Sequence, residues 1–228
     1  MPAQQQAITL QAIFMKSLLT LVYTLLVLIL VGQKTSRTSV KIIPQLSIYD
    51  IKGDTTSLEA ISVGKVTFID FWFIPCGPCF EEMNMLHKLY SKYLGNPNVS
   101  FLTITITDSS FVRPLIENRN TSSNETYNYF KKLSQLDTFK LPVYFIKGVN
   151  YKVISLRNEN DKFNGQLDPS IIKADMTVYP NNVFGFEGYP TIFMFDKNGN
   201  TLYSNTGFMK KGEGRQMKRI QDIIEKNL

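Results

Sequence analysis

Residues 65–94, "KVTFIDFWFIPCGPCFEEMNMLHKLYSKYL", leave little freedom in the choice of fold. Lys65 to Phe73 is an apolar and β-branched run broken only by Thr67 and Asp70, the pattern of a central strand buried on both faces. From Cys79 to Leu94, Met83, Leu86, Tyr90 and Tyr93 or Leu94 recur at helical spacing, with Glu81, Glu82, Lys88 and Lys92 toward the other side. A second buried strand follows in "NVSFLTITITD", Asn98 to Asp108, so the unit reads as strand, helix and parallel strand. The sequence Cys-Gly-Pro-Cys therefore stands where a strand turns into a helix.

That position gives the two cysteines different chemistry. Cys76 faces the helix N-terminus, whose free N–H groups and partial positive charge favour a thiolate. Cys79 lies one turn in and is expected to be shielded, so Cys76 is the expected attacking sulfur and Cys79 the resolving one. Pro78 in the first helical turn costs nothing, because its missing N–H had no partner there. The chain has 2 cysteines, so any intramolecular disulfide closes the ring from Cys76 to Cys79. So small a ring is a poor staple, which favours a redox role. A tetrahedral zinc site wants four ligands, and His87 is the single further candidate of the Cys and His types.

Composition fits a globular chain: 228 residues, 43% hydrophobic, 12% aromatic and 19% charged. The net charge of +6 is modest, and the basic run "KKGEGRQMKR" reads as the solvated face of a helix, so no nucleic-acid partner is expected. "SLLTLVYTLLVLILVG", residues 17–32, follows Lys16 and precedes the polar "QKTSRTS". That is the layout of a secretory signal or a membrane anchor. Its core is short for a membrane span, which takes about 20 residues. No cysteine follows it closely, which argues against lipid attachment. The expected organisation is a signal peptide or anchor at 1–32, a linker at 33–43 and one domain at 44–228.

Further along, "ETYNYFKKLSQL" (125–136) reads as a helix and "LPVYFI" (141–146) as a short strand. "TIFMFD" and "TLYSNT" flank an Asn-Gly turn, a strong hairpin signal. The C-terminal stretch is an amphipathic helix with Met217, Ile220, Ile223 and Ile224 inward. "NRNTSSNET" holds Asn-x-Ser/Thr triplets, meaningful only where the source glycosylates proteins. His87 is expected on the surface.

From about Pro44 onward the chain resembles the exported thiol-disulfide oxidoreductases of the TlpA and ResA type, within the redoxin superfamily. "PQLSIYDIKGDTTSLEAISVGKVTFIDFW" is similar to that group's opening hairpin, "GK" turn and first core strand. "CGPC" is the active-site sequence of thioredoxin, and "DFW" puts Asp70 six residues ahead of Cys76 as in thioredoxin. "EEM" puts Glu82 where the exported group has an acid. "GFEGYPTIFMFDKNGNTLYSNTGF" resembles the loop ending in a cis-proline and its hairpin, with Pro190 as that proline.

The resemblance implies an α/β, thioredoxin-like fold: a central mixed sheet flanked by helices, an N-terminal hairpin extension, and a long insertion at about 147–182 before the cis-proline loop. It implies Cys76, Cys79, Asp70 and Glu82 as catalytic residues, the acids serving as proton acceptors for Cys79. Trp72, Pro75, Gly77, Pro78, Tyr189 and Pro190 become the substrate-contacting set. No cofactor is implied beyond a redox-active Cys76–Cys79 disulfide, and no metal. The implied partners are protein disulfides or dithiols of the cell envelope, apocytochrome c among them, with a membrane thiol donor and membrane association through 17–32.

Two other functions share the fold. A peroxiredoxin-like peroxidase has Thr three residues before its cysteine, where this chain has Phe73; a Sco-like copper-delivery protein has Cys-x-x-x-Cys and a late histidine, and here no histidine follows His87. Pro75 departs from the group, which has Trp before the first cysteine. It is expected to hold Ile74 extended.

Overall fold

The computed structural model describes residues 42–117, 125–149, 153–157, 163–167 and 177–228. The expected signal or anchor, most of the linker and the asparagines of the Asn-x-Ser/Thr triplets, Asn120 and Asn124, lie outside the described residues. Among the described residues no helix is long and apolar enough to cross a membrane.

The strands are β1 (Ser47–Asp50), β2 (Thr55–Ser57), β3 (Val66–Trp72), β4 (Val99–Thr105), β5 (Val143–Ile146), β6 (Val153–Arg157), β7 (Phe163–Leu167), β8 (Thr191–Phe195) and β9 (Thr201–Thr206). The helices are α1 (Leu58–Ser62), α2 (Gly77–Tyr93), α3 (Ser109–Ile116), α4 (Glu125–Ser134), α5 (Pro180–Phe184) and α6 (Glu213–Asn227), with a 3-10 turn at Lys210–Gly212. Seven strands form one sheet in the order β2-β1-β5-β4-β3-β8-β9, while β6 and β7 pair separately. β3 runs parallel to β4 and antiparallel to β8, so the sheet is mixed, as expected.

β3 is central because all seven of its side chains are buried. Its residues alternate between two cores, as the period of two requires. Phe68 and Trp72 join α2, α4 and α6 on one face; Ile69 and Phe71 join Leu58 of α1 and Phe184 of α5 on the other. Asp70, two residues from each of Phe68 and Trp72, therefore points into the first core. Phe71, Phe184, Phe186 and Phe193 pack edge-on or tilted in the second, with ring centroids 4.7–6.2 Å from Phe71.

The opening hairpin is present, and β1 adds to the sheet antiparallel to β5. Helix α3 is absent from the expectations above. Asp108 caps it by accepting from the Ser110 N–H at 2.9 Å. Pro114, which would ordinarily argue against a helix, falls near the end of a single eight-residue segment, where it removes little of the hydrogen-bond ladder. The region expected as a bare insertion contains the β6–β7 hairpin, and its end is built into the domain: α5 spans the expected boundary at 182 and sends Phe184 fully into the second core.

The β8–β9 hairpin turns at Asp196, whose Oδ1 accepts from the N–H groups of Asn198 and Asn200, each at 2.8 Å. Gly199 closes the turn with φ +81°, and a Cβ there would stand 2.9 Å from Ile43 Cγ2. Gly199→Ala is therefore expected to cost about 1–2 kcal/mol, through the left-handed backbone and the contact together, measurable by urea denaturation.

His87 is not a plain surface residue. It is half-buried, its ring lies edge-on to Phe139 at 5.8 Å, and Nε2 accepts from the Lys140 N–H at 3.4 Å. Burial, with help from Lys140, lowers its pKa from 6.5 to about 4. As pH falls from 6.5 toward 4 the unfolded chain takes up a proton that the folded chain refuses, so this group withdraws stability on acidification. Because it is the chain's 1 histidine, its NMR titration is expected as a single imidazole signal with a midpoint near 4.

Candidate active site

The strand-to-helix turn is tighter than the sequence suggested. Cys76 N–H donates to Phe73 O at 3.0 Å, and the Ile74–Pro75 peptide is cis, so Phe73–Cys76 is a four-residue turn with cis-proline at its third position. Pro75 thus does more than restrict Ile74: its cis peptide builds the turn that leads into α2. The Ile74 N–H is satisfied by Thr107 Oγ1 at 2.8 Å, which ties the turn to the chain just beyond β4.

Cys76 is the N-cap of α2, with an extended backbone (φ −85°, ψ 103°), and its Sγ accepts the Cys79 N–H at 3.2 Å. The helix thus offers one of its orphan donors to the first sulfur. Pro78 sits in the first turn and is exposed, while Gly77 is half-buried. The two cysteines are joined as a disulfide with a Cα–Cα distance of 5.3 Å. Cys79 is 1% exposed, in line with the expected shielding, but Cys76 is itself only 6% exposed. Helix α4 contributes to this enclosure: a Cβ on Gly77 would lie 3.2 Å from Tyr129 Oη, and Phe80 meets the Tyr129 ring at 5.2 Å. Tyr129 is a residue that sequence reasoning missed, since an aromatic in an amphipathic helix carries no mark of what it covers.

Two acids are buried in the same part of the sequence, Asp70 of β3 and Glu82 one turn beyond Cys79 on α2. Asp70 and Glu82 are each 1% exposed. Burial raises Asp70 to about 8. Burial, then the nearby Asp70 charge, holds Glu82 well above the usual carboxylate range, while a hydrogen bond from Gln216 opposes the shift. Glu82, expected as either a site residue or an exposed helix residue, is thus a buried one. Gln216 Nε2 donates to Glu82 Oε1 at 3.1 Å. Asp70 Oδ1 and Glu82 Oε2 are buried with no hydrogen-bond partner. Two neighbouring carboxyls that cannot comfortably both ionise form a proton store.

Trp72, expected among the substrate-contacting groups, is instead fully buried. Its ring lies 6.0 Å from both Phe80 and Phe139, in the core under the dithiol. Tyr189–Pro190 is the second cis peptide, at the position expected for it. Pro190 O accepts the Gly207 N–H at 2.7 Å, fastening the loop to the end of β9. The Tyr189 ring stands edge-on to Phe73 at 5.1 Å, and its Oη donates to Asn181 Oδ1 at 2.6 Å. Phe73 connects Tyr189 to the Pro75 turn, so the two proline loops share an aromatic contact. Asn181, in α5, was also missed, because nothing in its neighbours marks it as a partner for Tyr189. Among the described residues no group of three or more His, Cys, Asp or Glu side chains is placed to hold a metal ion.

The family model described as Redoxin matches residues 38–221. No curated protein matches the chain. Among solved structures, the thioredoxin domain of a thiol-disulfide oxidoreductase from Bacteroides vulgatus is 17% identical, with a TM-score of 0.48 over 83% of this chain and 99% of that one. A thiol-disulfide oxidoreductase from Bacteroides fragilis is 16% identical, with a TM-score of 0.46 over 79% of this chain and 99% of that one. With its Cys76–Cys79 disulfide at the turn from β3 into α2, the chain belongs to the Redoxin family.

Proposed function

We propose that this chain is a thiol-disulfide oxidoreductase, exported or membrane-tethered, that reduces disulfides of envelope proteins. One observation carries the chemistry: Cys76 caps α2 with its sulfur on the Cys79 N–H, and Glu82, one turn beyond Cys79, is buried with the Asp70 charge nearby. In the reduced chain the Cys76 thiolate attacks a partner disulfide, one partner sulfur leaves as a thiolate, and a mixed disulfide forms at Cys76. Cys79 then loses its proton to a buried carboxylate, which becomes the neutral acid, and attacks Cys76 Sγ. The Cys76–Cys79 bond forms, the bond to the partner breaks, and the second partner sulfur departs as thiolate and takes up a proton from water. The partner gains two electrons and the chain is left oxidised. Asp70 and Glu82 act as the proton acceptors, and the loop at Tyr189 and Pro190 receives the partner backbone.

A dithiol that resolves within one helical turn suits exchange with disulfides better than peroxide chemistry. Export is supported by the apolar segment at 17–32, read as signal or anchor, and a membrane thiol donor would re-reduce the pair. Trapping tests the reading: Cys79→Ala expressed in cells should accumulate covalent adducts at Cys76 that dithiothreitol releases, and the adducts should be envelope proteins, apocytochrome c among the candidates. Adducts drawn solely from cytoplasmic proteins would overturn the assignment to the envelope.

A further inference from the structure

The dithiol mechanism leaves one polar contact unused, the bond by which α6 reaches the buried acids. Glu82 lies three residues beyond Cys79 on α2, hence on the same face and one turn away. Gln216, half-buried on α6, spends its amide N–H on Glu82 Oε1 and leaves Oε2 without a partner. Gln216 also forms part of the wall of a surface groove of about 560 Å³, lined further by Tyr203, Gly207, Phe208, Arg215 and Arg219. It therefore stands between solvent and the carboxyl pair. Lys88–Glu213 and Lys92–Glu225, at 3.0 and 2.6 Å, are two further contacts between α2 and α6.

An oxygen that accepts a hydrogen bond from an amide is the poorer place for a proton. When Glu82 is protonated, the proton belongs on the other oxygen. We infer that Gln216 is a positioning residue for the exchange reaction: by holding Oε1 it keeps Glu82 in one orientation and reserves Oε2 for the proton that Cys79 gives up. In that step the Cys79 S–H bond breaks, the proton passes to the carboxylate at Oε2, and the electron pair left on sulfur forms the bond to Cys76 as the partner thiolate leaves. The amide suits the role because it donates a hydrogen bond to Oε1 and has no charge of its own to contribute.

Other groups set the field at Glu82. Asp70 faces it from β3, and its charge opposes ionisation of Glu82. Tyr203 adjoins it from β9 with Arg219 of α6 stacked on the phenol ring at 4.8 Å. The Gln216 bond works against burial and Asp70 by favouring the carboxylate. Loss of this bond should move the Glu82 titration upward by about one pH unit, since a hydrogen bond to a charged group is worth about that much or more.

The inference rests on the exchange reading, and the test separates the two. Gln216→Met keeps the side chain's length without the donor, and Gln216→Glu puts an acceptor in its place. Two quantities are followed in wild type and variants: the carboxyl ¹³C titration of Glu82, assigned against Glu82→Gln, and the pH dependence of mixed-disulfide resolution in single turnover. The expected order of both midpoints is wild type, then Gln216→Met about one pH unit higher, then Gln216→Glu higher still. Resolution at pH 7 should slow about tenfold in Gln216→Met, with attack by Cys76 unaffected. Coincident Glu82 titrations in wild type and Gln216→Met, or any other order of the midpoints, would overturn the role of Gln216. A wild type that forms no mixed disulfide would instead refute the exchange reading, and the NMR titration still decides the positioning role. Should Gln216→Met fail to fold, Gln216→Glu against wild type gives the same decision.

Discussion

Cys76→Ser is expected to lose insulin-reducing activity by at least about a thousandfold, because no other sulfur in the chain can replace the capped one. Cys79→Ala should lose steady-state turnover to a similar extent for a different reason. Its Cys76 still attacks, so one equivalent of partner thiol should appear in a burst and the reaction should then stop at the mixed disulfide. The asymmetry follows from position: Cys76 holds the N-cap with its sulfur on a backbone N–H, whereas Cys79 is 1% exposed and can be reached only from within. A burst from Cys76→Ser and none from Cys79→Ala would reverse the assigned roles. Cys76 is itself 6% exposed in the oxidised chain, with Tyr129 close to Gly77 beside it, so little of its sulfur is open to a bulky folded partner. An extended or unfolded partner segment suits that exposure best.

Asp70→Asn should separate stability from catalysis. With Asp70 raised from 3.8 to about 8, the folded chain holds a proton that the unfolded chain releases between those values. Stability contributed by the neutral acid is thus complete below about pH 4 and is lost as pH rises toward 8, by up to about 1.4 kcal/mol per pH unit. The buried amide removes that dependence. Asp70→Asn should therefore be more stable than wild type, by a margin that grows from pH 5 to pH 8, in urea denaturation at the two values. Its resolution step should slow about a hundredfold near neutral pH, the scale of losing a positioned base, while attack by Cys76 continues. Parallel stability profiles for the two proteins would mean that Asp70 is not buried neutral. The same sign applies to Glu82, whose pKa is also raised by burial, so part of the slope should survive in Asp70→Asn.

The parts of the fold legible in sequence were those in which local pattern and global role agree. β3 is buried on both faces and has no polar residue except Thr67 and Asp70, so its continuous apolar run announced a central strand. Asn-Gly between two alternating segments announced the β8–β9 hairpin, and CGPC announced the turn before α2. What escaped was structure whose evidence lies elsewhere in the chain. α3 contains Pro114 and depends on the Asp108 cap; α5 is five residues long and owes its place to Phe184 in the second core. The site divides in the same way. Cys76, Cys79 and Asp70 stand in one short stretch whose physical chemistry is local. Gln216 meets Glu82 across 134 positions, and Tyr189 meets Asn181 through the folding back of the insertion's end. Such partners have no signature of their own, because what matters is the contact and not the residue type. Trp72 shows the converse: the resemblance put it among the substrate-contacting groups, and the alternation of β3 sends it into the core.

The central claim is that Cys76 and Cys79 form a reversible two-electron couple that exchanges with protein disulfides. Equilibrating the chain against graded ratios of reduced and oxidised dithiothreitol, quenching in acid, and counting alkylated thiols by intact mass tests it most directly. Just two populations are expected, unmodified and doubly alkylated, interconverting along a single two-electron curve, with the reduced form able to cleave insulin disulfides. A pair that cannot be reduced and reoxidised, singly alkylated protein at every ratio, or a reduced form inert toward insulin would contradict it.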